Sequence, residues 1–156
     1  MNTLATLLTG RGAHAEMAHV LEDIDASSFG ARPHRAPHSI YEELWHLVYW
    51  QDLILGWIDG ADGASPDHAS EGWPDRREPL DLDEALRLVG AFLDGVDRAT
   101  ALASDAERLD VAVRKARTVR GLLESLLAHN AYHAGRIVML RQLLGIWPPP
   151  SGGDTW

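Results

Sequence analysis

Residues 118–145 read TVRGLLESLLAHNAYHAGRIVMLRQLLG, and this stretch decides the fold. Thr118 offers a side-chain oxygen to the free backbone N–H groups that open a helix. Gly145 is suited to the position just past a helix end. Pro148, Pro149 and Pro150 then forbid continuation. The spacing predicts one long helix from Thr118 to Leu144. His129 and His133 lie deep inside it, four residues apart, so both imidazoles share one face, one turn apart.

Outward from this stretch the pattern stays helical. From Ser39 to about Asp59, Ser39 and Glu42 form a capping-box pair. The segment is apolar nearly all round: Ile40, Leu44, Trp45, Leu47, Val48, Tyr49, Trp50, Leu53, Ile54, Leu55, Trp57 and Ile58. Such a helix is buried on more than one side, and the extra side is expected to meet a partner subunit. From Leu82 to Ala99, apolar residues recur at three- and four-residue steps behind Asp81 and Glu84, a second capping-box pattern. The N-terminal part is weaker. Thr3–Leu8 predicts one or two turns, broken at Gly10 and Gly12, and His14–Ile24 predicts a resumed helix. Irregular stretches are expected over 27–38, over 60–79 and in the tail GIWPPPSGGDTW, where glycine and proline are dense. The tail is expected to fold over a bundle end or a neighbouring subunit, anchored by Trp147 and Trp156. No segment alternates as a strand does. The expectation is an all-α four-helix bundle, one domain over residues 1–156.

Composition narrows the function classes. The net charge is -9, from 23 acidic residues against 14 Lys plus Arg. That sign opposes binding to a phosphate backbone, so no nucleic-acid partner is expected. The cluster Arg114, Lys115, Arg117 and Arg120 is read as a solvated inter-helix segment. Cysteine is absent, which excludes a disulfide framework, a cysteine-ligated zinc and a cysteine nucleophile. No apolar run is long enough to span a membrane, and MNTLATLLTG lacks the basic region of a signal peptide. A cytoplasmic protein is the expectation. There is no GxGxxG, P-loop, GxSxG or HExxH motif.

The histidines carry the chemistry. His129 and His133 need further ligands from another helix, and His46, in the middle of ELWHLVYWQ, is the natural third. Each signal has a plain alternative. HxxxH is a weak motif alone, and a single histidine in an apolar helix is usually a hydrogen-bonded core residue. Three together in the interiors of the two long helices point to a site, because buried polar groups need partners. Neutral imidazole suits a divalent transition metal, zinc first, with nickel, manganese or iron as alternatives. Three nitrogens leave a position open, as in catalytic zinc sites. Glu42 and Glu43 are candidate catalytic bases, against a competing reading as capping and first-turn charge. Tyr49 and Trp50 are candidates for the pocket wall. His14 is a candidate contact residue, against a surface or capping role. His34, His38 and His68 are expected to be solvated, and His19 to lie on a helix surface.

HSIYEELWHLVYWQD, followed by LLAHNAYHAGRIVMLRQLLGIWPPPSGGDTW, strongly resembles the DinB-like superfamily of four-helix-bundle proteins. GRGAH and APHS extend the resemblance over nearly the whole chain. It implies an up-down-down-up bundle, often a homodimer, with one divalent metal on three histidines. The family's single histidine on the second helix matches His46, and its pair on the last helix matches His129 and His133. The resemblance also implies activities that include thiol-dependent transfer and isomerisation. The expected function is therefore a metal-dependent enzyme that activates water or a low-molecular-weight thiol toward a small electrophilic substrate. The competing expectation is a non-catalytic, metal-stabilised dimeric stress-response bundle.

Overall fold

The computed structural model describes residues 2–152. Three long helices, Ile40–Ile58 (α4), Leu82–Ser104 (α5) and Val119–Leu144 (α7), pack around one another with α4 in contact with both others. The place of a fourth helix is taken by three short pieces, Thr3–Leu8 (α1), Met17–Val20 (α2) and Ala26–Gly30 (α3). Ala106–Leu109 (α6) follows α5. The architecture is the expected all-α bundle, with its N-terminal helix segmented. The predicted helix over His14–Ile24 shrinks to one turn; Ala15, Val20, Leu21 and Ile24 of its apolar pattern are buried, but Ala18 is exposed and Met17 is buried instead. Conversely, α3 lies partly inside a stretch read as irregular. Asp25 starts it by accepting from Ser27 and Ser28 N–H, and Phe29 is buried.

The caps behave as the sequence chemistry dictates. Ser39 and Glu42 form the full reciprocal box at the start of α4. At α5 only half of the box forms: Asp81 accepts from Glu84 N–H at 2.7 Å, while the Glu84 carboxylate turns to Leu80 N–H and Arg76. Gly145 closes α7 in the left-handed region at φ 73°, and Ile146 N–H returns to the Arg141 carbonyl at 3.0 Å.

One expectation needs correction. A two-stranded hairpin, Ala112–Arg114 (β1) and Arg117–Thr118 (β2), precedes α7. Its two-residue turn is Lys115-Ala116, both at positive φ (44° and 64°). Turns of this kind favour Asn-Gly, so the pair gave no hairpin signal. The hairpin also disperses the basic cluster, since Arg114 lies over the Trp57 ring at 4.1 Å and Arg120 pairs with Asp110 at 3.0 Å. On α4 only Asp52 is fully exposed, while Trp45, Val48, Tyr49, Trp50 and Leu53 stay partly exposed.

The core falls into two apolar clusters, one around Phe29, Leu44, Phe92 and Ile137 and one around Leu8, Leu55, Leu123 and Leu126. They change over between Leu47 and Ile54 on α4 and between Leu126 and Ala134 on α7. Buried polar residues occupy that level: Gln51, Asn130 and His133, with His129 half-buried beside them. Gln51 is 0 % exposed and donates to the Phe92 carbonyl at 3.0 Å. The opposing residue must be glycine, because a Cβ on Gly95 would stand 1.9 Å from Gln51 Nε2.

The tail turns back onto the bundle. Trp147 packs against the first cluster with the buried Arg141 guanidinium over its ring at 5.2 Å. Trp156 lies outside the described residues. No helix among the described residues is long and apolar enough to cross a membrane.

Candidate metal centre

The facing of α4 and α7 brings His46, His129 and His133 together. One ring nitrogen from each lies within 4.8 Å of the others. The ring centroids are 4.5–5.1 Å apart. His46 and His133 are buried and His129 is half-buried. The three histidines picked out from spacing therefore form one cluster.

Hydrogen bonds fix the tautomers of two of them. His46 Nδ1 lies 2.6 Å from the Gly72 carbonyl oxygen. A carbonyl can only accept, so Nδ1 carries the proton and Nε2 keeps its lone pair. His133 Nδ1 lies 2.6 Å from Glu43 Oε2, which directs its Nε2 lone pair in the same way. His46 Nε2 and His129 Nε2 face each other at 3.1 Å. A single N–H···N bond would join that pair, with His133 bonded to Glu43 through Nδ1 and its Nε2 given no protein partner among the described residues. Tetrahedral zinc with Zn–N bonds of about 2.0–2.1 Å would space its nitrogens by about 3.3 Å. The chemistry of the donor set and the spacing of the His46–His129 pair fit a divalent transition metal.

Electrostatics favour the neutral imidazoles that a metal requires. Burial, helped by the neighbouring His133 and His46, pushes the His129 pKa down to about 4. Burial also lowers His46, against the opposing effect of its bond to Gly72. Both are uncharged at neutral pH.

The other expected residues separate. Glu43 is 0 % exposed and holds His133 on one oxygen. Its other oxygen meets Arg136 Nη2 at 2.7 Å and lies 3.4 Å from His38 Nδ1. Glu42 is committed elsewhere, to the Ser39 cap and to a fork with the Arg32 guanidinium. Trp50 flanks the cluster, 6.3 Å from the His46 ring and 6.1 Å from that of His129. Tyr49 packs on Trp45 and Trp50 and reaches the cluster only through Trp50. His14 bonds the Ala15 carbonyl and lines a separate cavity with Ala131, Gly135 and Val138 of α7.

Four participants were not foreseen. Trp73 is stacked between His46 (4.0 Å) and His38 (3.7 Å), and Gly72 supplies the carbonyl for His46. A Cβ on Gly72 would stand 3.1 Å from Trp50 Nε1, so the loop approaches this closely because the residue is glycine. His38, expected to be solvated, is instead half-buried between Trp73 and Arg136. Arg136 had a signal: it follows His133 by three residues, which places it on the same face of α7. Nothing in the sequence of the 60–79 loop singles out Trp73.

The sequence matches the family model of the DinB superfamily over residues 11–137. The chain belongs to the DinB superfamily. No curated protein and no solved structure gave a match. Within this DinB-superfamily chain, the matched region contains all three clustered histidines, Glu43 and Arg136.

Proposed function

We propose that this DinB-superfamily protein holds one divalent transition metal on His46, His129 and His133 and acts as an enzyme on a small electrophile, with a low-molecular-weight thiol or water as nucleophile. The observation that carries the reading is the convergence of three imidazoles, two of them locked by Gly72 and Glu43 with their Nε2 lone pairs free. A bound divalent ion would supply Lewis acidity, lowering the pKa of a nucleophile held beside it. The chain's own residues do the rest. Gly72 and Glu43 orient the ligand rings, and such supporting bonds also raise ligand basicity. Trp73 and Trp50 shield the His46 side from water, while the half-buried His129 marks the more open side. Zinc is the first candidate, with nickel, manganese and iron as alternatives.

The test is a panel of low-molecular-weight thiols and small electrophiles, followed with protein reconstituted in each metal. Metal-dependent consumption of thiol or hydrolysis of the electrophile, absent after chelation, supports the reading. A protein that binds metal yet accelerates none of these reactions would contradict the enzyme assignment.

A second reading has its own observation. The cluster lies at the level between two apolar core clusters and joins α4 to α7, so the metal could serve as structural cement in a non-catalytic bundle. Chelation separates the two, because binding free energy would then be folding free energy. A bundle that melts cooperatively at nearly the same temperature without metal favours the enzyme. The homodimer is carried forward on the family resemblance alone, and light scattering tests it.

A further inference from the structure

On the far side of Glu43 from the histidine cluster lies a cavity of about 350 Å³, within the range of small-molecule sites. Its walls are apolar: Ala36 and Pro37 from the segment before α4, and Met139, Leu140 and Leu143 from α7. Five polar side chains line it as well: Glu43, His34, His38, Arg136 and Tyr132. The Arg136 guanidinium is only partly used. Nη2 serves Glu43 at 2.7 Å and the His38 ring nitrogen at 3.1 Å, while Nη1 reaches the Tyr132 hydroxyl at 3.3 Å. Nε has no hydrogen-bond partner among the described residues. The side chain is 29 % exposed, so the charge is neither spent nor fully solvated.

An apolar chamber with one guanidinium in its wall suits a ligand with an apolar body and a single carboxylate. We propose that this cavity binds a small apolar carboxylate and that Glu43 couples its occupancy to the histidine cluster. The coupling follows from sharing. A carboxylate paired with Arg136 competes with Glu43 for the same guanidinium. Glu43 then places more of its charge on His133 Nδ1–H, and the incoming anion adds negative charge near the cluster. Both effects favour a cation there, so the ligand tightens metal binding. By linkage the metal tightens ligand binding by the same factor. This second half rests on the metal-centre reading, whereas the cavity itself does not.

The probe is 2-naphthoate, compared with its uncharged analogue 2-naphthamide, titrated calorimetrically against the metal-free wild type, Arg136→Gln and Leu143→Trp. Leu143 is 47 % exposed, so the tryptophan closes the cavity mouth without disturbing the core. The expected result is one naphthoate per chain, at least tenfold weaker for the amide and for each variant. Equal binding of acid and amide, binding indifferent to both variants, or no saturable uptake at millimolar concentration would overturn the site. Zinc affinity is then measured by chelator competition with and without naphthoate. A severalfold tightening supports the coupling. Naphthoate binding with unchanged zinc affinity overturns the coupling alone. A protein that takes up naphthoate but no metal leaves the cavity supported and overturns the metal reading.

Discussion

Replacing Glu43 by glutamine should weaken metal binding about tenfold while leaving the bundle folded. The carboxylate is fully buried and accepts from His133 Nδ1–H at 2.6 Å. A hydrogen bond to a charged group contributes about 1.5–3 kcal/mol, against about 0.5–1.5 kcal/mol for a neutral pair. Glutamine keeps the shape and one acceptor, so the loss at His133 is the difference, about 1–1.5 kcal/mol. At about 1.4 kcal/mol per factor of ten, that is close to one decade in Kd. It agrees with the roughly 10–100-fold cost of removing a partner from a metal-bound histidine. The glutamine amide cannot accept from both His133 and Arg136, and Arg136 is left without its carboxylate. A drop in melting temperature is therefore expected as well. The assay is zinc competition against a chromophoric chelator at pH 7, with thermal unfolding of the metal-free proteins measured in parallel. An unchanged zinc affinity in folded Glu43→Gln would refute the role assigned to this residue.

Gly95→Ala should destabilise the bundle by about 1–3 kcal/mol through overpacking against Gln51, and a melting temperature equal to wild type would show that the Gln51 contact is not rigid. Asp25→Ala should cost about 1 kcal/mol at neutral pH through loss of the α3 cap. Hydrogen bonds from the Ser27 and Ser28 side chains, with backbone bonds added, hold the Asp25 carboxyl at about 2, below its usual 3.8. The folded-state pKa is depressed, so the cap's contribution is present above about pH 4 and is lost as pH falls toward 2. The stability gap between wild type and Asp25→Ala should accordingly close over that interval in urea titrations, and a gap that widens on acidification would contradict the assignment.

Much of this site was written into the two long helices. The starts of α4 and α7, the glycine stop at Gly145 and the facing positions of His46, His129 and His133 all follow from capping chemistry and helical spacing. Local rules work there because each element satisfies its own ends and presents one face. Glu43 was legible as a nearby carboxylate, but its choice between the helix dipole and His133 depends on how α4 and α7 are set against each other. Trp73, Gly72 and His38 were not legible. They come from segments with no periodicity, and their positions are set by tertiary contact, such as the stack of Trp73 between two imidazoles. The N-terminal pattern failed differently. The break at Gly10 and Gly12 appears as expected, both at positive φ, but beyond it the helix expected over His14–Ile24 forms only the turn Met17–Val20, with Ala18 of its apolar pattern exposed. The Lys115-Ala116 hairpin turn contradicts local preference outright.

The measurement that tests the central claim most directly is elemental analysis of untagged wild type beside His129→Ala, each after exposure to zinc, nickel, manganese and iron, with helicity checked by circular dichroism. The account predicts about one transition-metal equivalent per chain in the wild type and none in a variant that is still helical. A full equivalent retained by His129→Ala, or no metal in either protein under any loading, would contradict it.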